Sequence, residues 1–442
     1  MELNTPPESD RGRQQRCMPE SAARRGSPTS VDLFCGAGGL TLGLSNAQFE
    51  TVLAADFWTP AAETFTANFP ETAFTSADIR DLSAADVLKL GGLSSAPTLV
   101  AGGPPCQGFS SAGARQASDH RNSLVGEFSR LVCELQPRAF LFENVEGFLT
   151  TGGGRFVFDL LEPMIEAGYR VAVRKLNVAN WGVPQLRKRI IAIGLLDRPL
   201  PIPTPTHRAH GAPGVHHAGH GLLPLLPNID DALAGLPTAS MSPPGSPSDH
   251  YVPALSDTDL ERVSLLGPGQ TMRDLPERLQ HASYQRRANR RVSDGMPSER
   301  RGGAPTGLRR LRADEPSKAI TSAASREFIH PHEDRPLTLR ECARLQTFPD
   351  SFEFLGSRAE RQVLVGNAVP PLFAECIGKQ LFSTLASDLP LDSGAGGLAC
   401  FDVVNGSGMS PALERVIRDV NERFGKSRPE QLSLNMLIKE VV

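Results

Sequence analysis

Val31-Asp32-Leu33-Phe34-Cys35-Gly36-Ala37-Gly38-Gly39-Leu40 is a short apolar run that passes straight into a glycine turn, and Leu40 to Leu44 continues with helical character. An apolar strand ended by glycines and followed by a helix is the opening of a βαβ unit. Glycines at such a turn let the backbone bend tightly and approach a ligand at the helix N-terminus. Downstream, Thr51 to Ala55, Thr98 to Ala101, Ala139 to Phe142 and Ile190 to Ile193 read as further buried strands. Pro60 to Asn68, Asn122 to Leu135 and Val157 to Ala167 read as the helices between them. This alternation predicts an α/β domain built on a mostly parallel sheet flanked by helices.

The chain has 442 residues, more than the roughly 250 to 300 that one core accommodates, so a large domain with a smaller module is expected. Residues 1–29 are polar and Arg-rich, with four prolines and four acids, and read as a disordered tail. Residues 30–199 carry the strand–helix alternation. From 200 to 310 the pattern breaks into Pro, Gly, Ser and His, too long for a loop, and predicts a separate irregular module. Apolar periodicity returns over 311–386, at Leu337 to Leu345 and Pro371 to Leu385. Residues 387–442 read as a linker followed by a helix between Ser410 and Gly425, with Leu413, Val416, Ile417, Val420 and Phe424 on one face, ready to dock on the main body or on a partner.

Seven scattered cysteines without a C-x-x-C pair point to a reducing compartment rather than to a disulfide framework or a zinc ribbon. No run of roughly 18 apolar residues occurs, so no membrane span is expected. The histidines at 207, 210, 216, 217 and 220 sit among Gly, Ala and Pro and read as a polar loop, with no metal site expected. Net charge is only −3, but Arg273 to Arg312 holds eleven arginines against four acids. A basic module on an otherwise acidic protein predicts contact with phosphate.

Chemistry-bearing residues gather at the predicted strand ends. Gly36, Ala37 and Gly38 form the first turn; Asp56, twenty residues on, suits ribose hydroxyls; Phe57 suits an adenine face; Asp78 and Ile79 suit an adenine edge. Together these fit a nucleoside-like ligand without choosing between a dinucleotide and S-adenosylmethionine. The fourth strand opens into Gly102-Gly103-Pro104-Pro105-Cys106-Gln107-Gly108-Phe109-Ser110, which sets a cysteine at the ligand-binding edge of the sheet. The fifth ends in Phe142-Glu143-Asn144-Val145, with Glu143 suited to proton donation beside Cys106. Alternation along an extended segment puts Gln185, Arg187 and Arg189 on one face, where two arginines aimed into the crevice would meet an anionic substrate.

With these motifs in this order, and with Asp119-His120-Arg121-Asn122-Ser123-Leu124, Leu337 to Pro349 and Gly366-Asn367-Ala368-Val369-Pro370-Pro371, the chain closely resembles the bacterial DNA cytosine-5 methyltransferase family over residues 30 to 385. The resemblance implies a Rossmann-like S-adenosylmethionine-dependent methyltransferase fold with a smaller irregular target-recognition domain at about 200 to 310. It implies S-adenosylmethionine binding by Phe34, Gly36, Ala37, Gly38, Asp56, Phe57, Asp78, Ile79, Leu124, Asn367 and Ala368. It makes Cys106 the nucleophile, Glu143 the acid, and Arg187 and Arg189 its supports, with Gln107, Ser110, Gln185, Arg286 and Arg287 toward the substrate. Asp56 departs from the Glu of many members, which shortens the reach to the ribose.

The expected partner is double-stranded DNA, with a cognate restriction endonuclease acting separately and the methylase itself a cytoplasmic monomer. An RNA methyltransferase of the same fold is the competing enzyme reading, but its relatives carry Pro and Thr where this chain has Gly108 and Ser110. A silent DNA-binding homologue is disfavoured by the intact Cys106, Glu143 and Arg187.

Overall fold

The computed structural model describes residues 27–105, 124–196, 204–208, 223–239, 249–252, 254–285, 307–387, 399–402 and 411–424. The strands are β1 (Thr29–Leu33), β2 (Glu50–Ala55), β3 (Ala73–Thr75), β4 (Leu99–Gly102), β5 (Ala139–Asn144), β6 (Arg170–Asn177), β7 (Gln185–Leu186), β8 (Lys188–Leu195), β9 (Arg309–Arg310), β10 (Ser317–Lys318), β11 (Phe328–Ile329) and β12 (Ala399–Asp402). The helices are α1 (Gly39–Asn46), α2 (Thr59–Asn68), α3 (Ala84–Leu90), α4 (Leu124–Leu135), α5 (Arg155–Glu166), α6 (Ile229–Leu233), α7 (Asp257–Ser264), α8 (Ala324–Glu327), α9 (Leu339–Leu345), α10 (Arg358–Asn367), α11 (Pro371–Ala386) and α12 (Pro411–Phe424).

Eight strands make one sheet in the order β12-β6-β8-β5-β4-β1-β2-β3. β8 runs antiparallel to β5 and β6, and every other pairing in the sheet is parallel. The α/β reading therefore holds. Strands buried on both faces carry continuous apolar runs, which is why β1, β2, β4, β5 and β8 were legible. On β5, Phe140 and Phe142 face a core shared with α4, α5 and α12, while Ala139 and Leu141 face one shared with α1 and α11. Phe128 of α4 is wedged between Phe140 and Phe142, with ring centroids 6.3 and 5.4 Å away.

The chain beyond 386 belongs to this body. β12 adds to the edge strand β6 in parallel, and α12 buries Leu413, Val416, Val420 and Phe424 in the same core as α4 and α5. The helix expected there thus docks on the main body. The strand before it was not expected.

The small module has a core of its own, formed by Val263, Leu266, Met272, Leu275, Leu279 and Leu308 together with Ile329. The expected boundary at 310 cuts through it, because β9 pairs with β11 and Ile329 completes the core from beyond that point. Ile229, also from the irregular stretch, packs with Leu339, Leu345 and their neighbours in the returning segment.

Candidate active site

The parallel register aligns the ends of β2, β1, β4 and β5, pairing Leu33 with Ala55 and with Gly102, and Gly102 with Phe142. Residues just past those ends share one edge of the sheet. Glu143 therefore meets the start of the loop that leads to Cys106: a methyl group added to Gly103 would lie 3.1 Å from Glu143 Oε2. Asn144 Nδ2 donates to Pro104 O at 3.3 Å and ties the two strand ends together. Cys106, Gln107, Ser110 and the 119–123 motif lie outside the described residues, as do Arg286 and Arg287.

Glu143 is nearly buried, and its Oε1 takes an ion pair from Arg189 Nε at 2.7 Å. Arg189 Nη1 also donates to Lys188 O, which ties the guanidinium to its own strand. Arg187 departs from the expectation. It is 1 % exposed and donates to the carbonyls of Ile320, Gly366 and Ala368. Its described partners thus lie on the returning half of the domain. Gln185 is corrected in the same way. Fully buried, its amide donates to Leu345 O and Gln346 Oε1 and accepts from Ile320 N. The shared face of Gln185 and Arg187 is real, but it is turned toward the returning half of the domain.

At the other side of the edge, Asp56 accepts from Gly36 N through Oδ2 and from Trp58 N through Oδ1, both at 2.9 Å. Burial raises its pKa against the effect of those two hydrogen bonds. Phe34 holds a left-handed backbone at φ 60°, a strained conformation for a large side chain, of a kind that gathers at ligand sites. Gly36, at φ 54°, has nothing within 4 Å of where a Cβ would sit. Beside this open cradle Phe57 is 64 % exposed, unusual for a large aromatic ring. Ala37 is buried, and Gly38 N closes the turn onto Cys35 O at 2.9 Å.

Asp78 caps the turn that begins at Ile79, and Arg80 pairs with its carboxylate. Hydrogen bonding from Arg80 lowers Asp78 to about 2. Asn367 is exposed at the end of α10 and Ala368 is buried beside it. Leu124 is the first residue of α4 and lies in the main core. The open Gly36 cradle, the bare ring of Phe57 and the Asp56 carboxylate between them fit an adenosyl ligand.

One group at this site was not singled out from sequence. Asp32 is fully buried, accepts from Thr41 Oγ1 at 2.6 Å through Oδ2, and leaves Oδ1 without a partner among the described residues. Desolvation raises its pKa to about 7. The nine-residue spacing from Asp32 to Thr41, which brings the end of β1 onto the first turns of α1, is the only sequence signal for it.

The basic module is less free than its composition implied. Arg310 is buried and donates to the carbonyls of Val263, Leu266, His330 and Glu333 as well as to Asp334. Arg278 pairs with Glu261, and Arg312 with Asp314 and Glu315. Arg273 and Arg309 form no ion pair among the described residues.

Comparison with known proteins agrees with the site. The model of the family described as C-5 cytosine-specific DNA methylase matches residues 29–383. The Type II methyltransferase M1.HphI of Haemophilus parahaemolyticus is 34% identical over 357 residues, covering 80% of this chain and 86% of its own. The Type II methyltransferase M.AgeI of Thalassovita gelatinovora is 30% identical over 423 residues, covering 80% of this chain and 98% of its own. The solved structure of a DNA modification methyltransferase encoded within an Escherichia coli prophage superposes with a TM-score of 0.62 at 25% identity, covering 82% of this chain and all of its own. A cofactor cradle and a carboxylate beside a Pro-Pro-Cys loop, on a sheet shared with these proteins, have one explanation: the chain belongs to the C-5 cytosine-specific DNA methylase family, enzymes that methylate cytosine in DNA with S-adenosylmethionine.

Proposed function

We propose that this DNA methyltransferase acts by covalent catalysis, with Cys106 attacking carbon 6 of a flipped cytosine and Glu143 hydrogen-bonding to N3. The observation that carries the reading is that Glu143 Oε2 stands 3.1 Å from where a Cβ on Gly103 would lie while Arg189 holds Oε1. It sets the carboxyl group against the strand end from which Cys106 is reached. Carbon 5 of cytosine is a poor nucleophile; a thiolate bond to C6 turns the ring into an enamine and makes it a good one. S-adenosylmethionine, held by Phe34, Gly36, Ala37, Gly38, Asp56, Phe57, Asp78, Ile79, Leu124, Asn367 and Ala368, supplies an electrophilic methyl group. A base then takes the C5 proton, the electron pair reforms the ring double bond, and the carbon–sulfur bond breaks to return the Cys106 thiolate.

The chemistry requires the base out of the stack, at a cost of a few kcal/mol offset by pocket and backbone contacts. We assign target recognition to the irregular module that begins at about residue 200 and whose core Ile329 completes, with the catalytic segments on either side of it. Gln107, Ser110, Arg286 and Arg287 are assigned to the DNA. That relatives are named Type II methyltransferases supports a role in a restriction-modification system, with a cognate endonuclease acting separately on the same DNA. The enzyme then acts as a cytoplasmic monomer. Among the described residues no helix is long and apolar enough to cross a membrane.

Transfer of tritiated methyl to DNA but not RNA, abolished in Cys106→Ser while DNA binding persists, is the expected result. Full turnover by that variant would overturn the assignment. Bisulfite sequencing of DNA from cells expressing the protein identifies the methylated site.

A further inference from the structure

The family match ends at residue 383, yet β12 and α12 are built into the catalytic body beyond it. α12 packs on the segment that follows Glu143, and β12 pairs with the neighbouring strand β6. After β5 the chain makes two short turns of helix, Glu146–Leu149 and Thr151–Gly154, before α5 begins. Gly152, Gly153 and Gly154 all have left-handed backbones, with φ of 64°, 71° and 90°. Three such residues in a row give this segment little conformational preference of its own, so its shape must be fixed from outside.

Val416 of α12 does so directly. A methyl group added to Gly154 would lie 2.4 Å from Val416 Cγ2 and 3.2 Å from its Cγ1, so the valine sits in the space that the missing side chain leaves. Val416 is 1 % exposed, and the helix is fastened around it by Arg423 on Glu162 and by Phe424 against Phe158. On the other flank β12 covers the edge of β6, pairing Asp402 with Arg174, and the next residue of β6, Lys175, is ion-paired with Glu146.

From Gly154 a run of contacts leads back to the reacting centre. Thr151 Oγ1 donates to Gly147 O at 2.8 Å, Phe148 N donates to Val145 O at 3.0 Å, and the Phe148 ring packs on Phe142 at 5.1 Å. Asn144 then holds Pro104 O. We propose that the strand and helix beyond residue 386 form a built-in brace, in which Val416 seated on Gly154 fixes the Glu143–Gly154 segment and so sets the rate of methyl transfer rather than the affinity for cofactor or DNA. Val416 and Gly154 are positioning residues, since neither borders the reacting atoms.

The test compares two identical deletions on one helix in the full-length protein. Val416→Ala and Val420→Ala each remove the same two methyl groups from a buried site, but Val420 lies one turn further from Gly154. Both lower the melting temperature. Only Val416→Ala lowers the single-turnover rate of methyl transfer at saturating cofactor and DNA, by about tenfold, because small misplacements of catalytic groups are costly. Binding constants for S-adenosylmethionine and DNA stay within about twofold of wild type in both. Equal loss of rate in the two variants, or no loss in either, would overturn the brace. Wild-type methylation together with an inactive Cys106→Ser variant reports on the covalent mechanism separately, so failure of the brace and failure of that mechanism are distinguishable.

Discussion

Arg189 Nε lies 2.7 Å from Glu143 Oε1, with the two side chains 15% and 11% exposed, and the carboxylate of this ion pair stands beside Gly103. Removing one partner of a withdrawn pair strands the other's charge. Arg189→Ala is expected to cost on the order of 3 kcal/mol of stability in urea titrations and to slow single-turnover methyl transfer about a hundredfold. Arg189→Lys falls between, since an ammonium keeps the charge but not the planar fork. Glu143→Gln keeps cofactor affinity while transfer falls severely; an unchanged rate would remove Glu143 from the mechanism.

Asp32 gives the fold a pH dependence whose sign follows from its burial. Its carboxyl is raised to about 7 in the folded chain, against about 3.9 in an unfolded one. Between those values the folded state keeps a proton that the unfolded state releases. This group's contribution to stability therefore declines as pH rises from about 4 to about 7 and is level above that. Asp32→Asn, which cannot ionise, should gain on wild type across that window, by a few kcal/mol in all at about 1.4 kcal/mol per pH unit. Melting curves at pH 5, 6, 7 and 8 measure the gap, and a gap that stays constant would refute the assignment.

Arg187 joins the two halves of the catalytic domain at the turn that carries Asn367. Arg187→Ala removes the guanidinium from the carbonyls of Ile320, Gly366 and Ala368, of which Ala368 O keeps Gln346 Nε2 as a donor, and a loss of about 3 to 5 kcal/mol is expected. Because Asn367 stands on the same turn, cofactor affinity measured by calorimetry should fall with it, by about tenfold for each 1.4 kcal/mol lost. An unaltered affinity in a folded variant would show that the turn is held by other means.

Within the basic module, buried and surface arginines should separate cleanly. Arg310→Ala is expected to unfold the module, since five hydrogen bonds from one buried guanidinium are lost at once. Arg273→Ala and Arg309→Ala should leave the melting temperature nearly unchanged. Each should weaken DNA binding and lower the slope of log K against log salt by about 1 if it contacts phosphate.

Most of the sheet and the order of the motifs were legible because strands buried on both sides carry short continuous apolar runs bounded by turn residues. β6 was not, because charged residues interrupt its run: Arg170, Arg174 and Lys175 alternate with the valines. β12 is four residues long beside a Gly-rich stretch and acquires its identity only by pairing with β6. The strand ends, and hence Glu143 beside Gly103, followed from local sequence. The fate of Arg187 did not. Its partners lie 133, 179 and 181 residues further along the chain, a distance that periodicity cannot span. The count of arginines in the module likewise could not distinguish Arg310, spent on main-chain carbonyls, from Arg273 at the surface.

The same separations bear on how the protein comes to be active during its synthesis. A nascent chain that has reached the end of β8 already contains Cys106, Glu143 and Arg189, but the guanidinium of Arg187 still lacks the carbonyls of Ile320, Gly366 and Ala368, and α1 lacks the α11 surface against which Gly43 packs. Closing contacts across so many residues is the slow part of folding. Translation must therefore run past residue 386 before the catalytic body is complete. A truncated product ending inside the irregular module would carry the whole reacting loop and yet lack the Asn367 turn and its supports, so an interrupted ribosome is expected to release no active methylase.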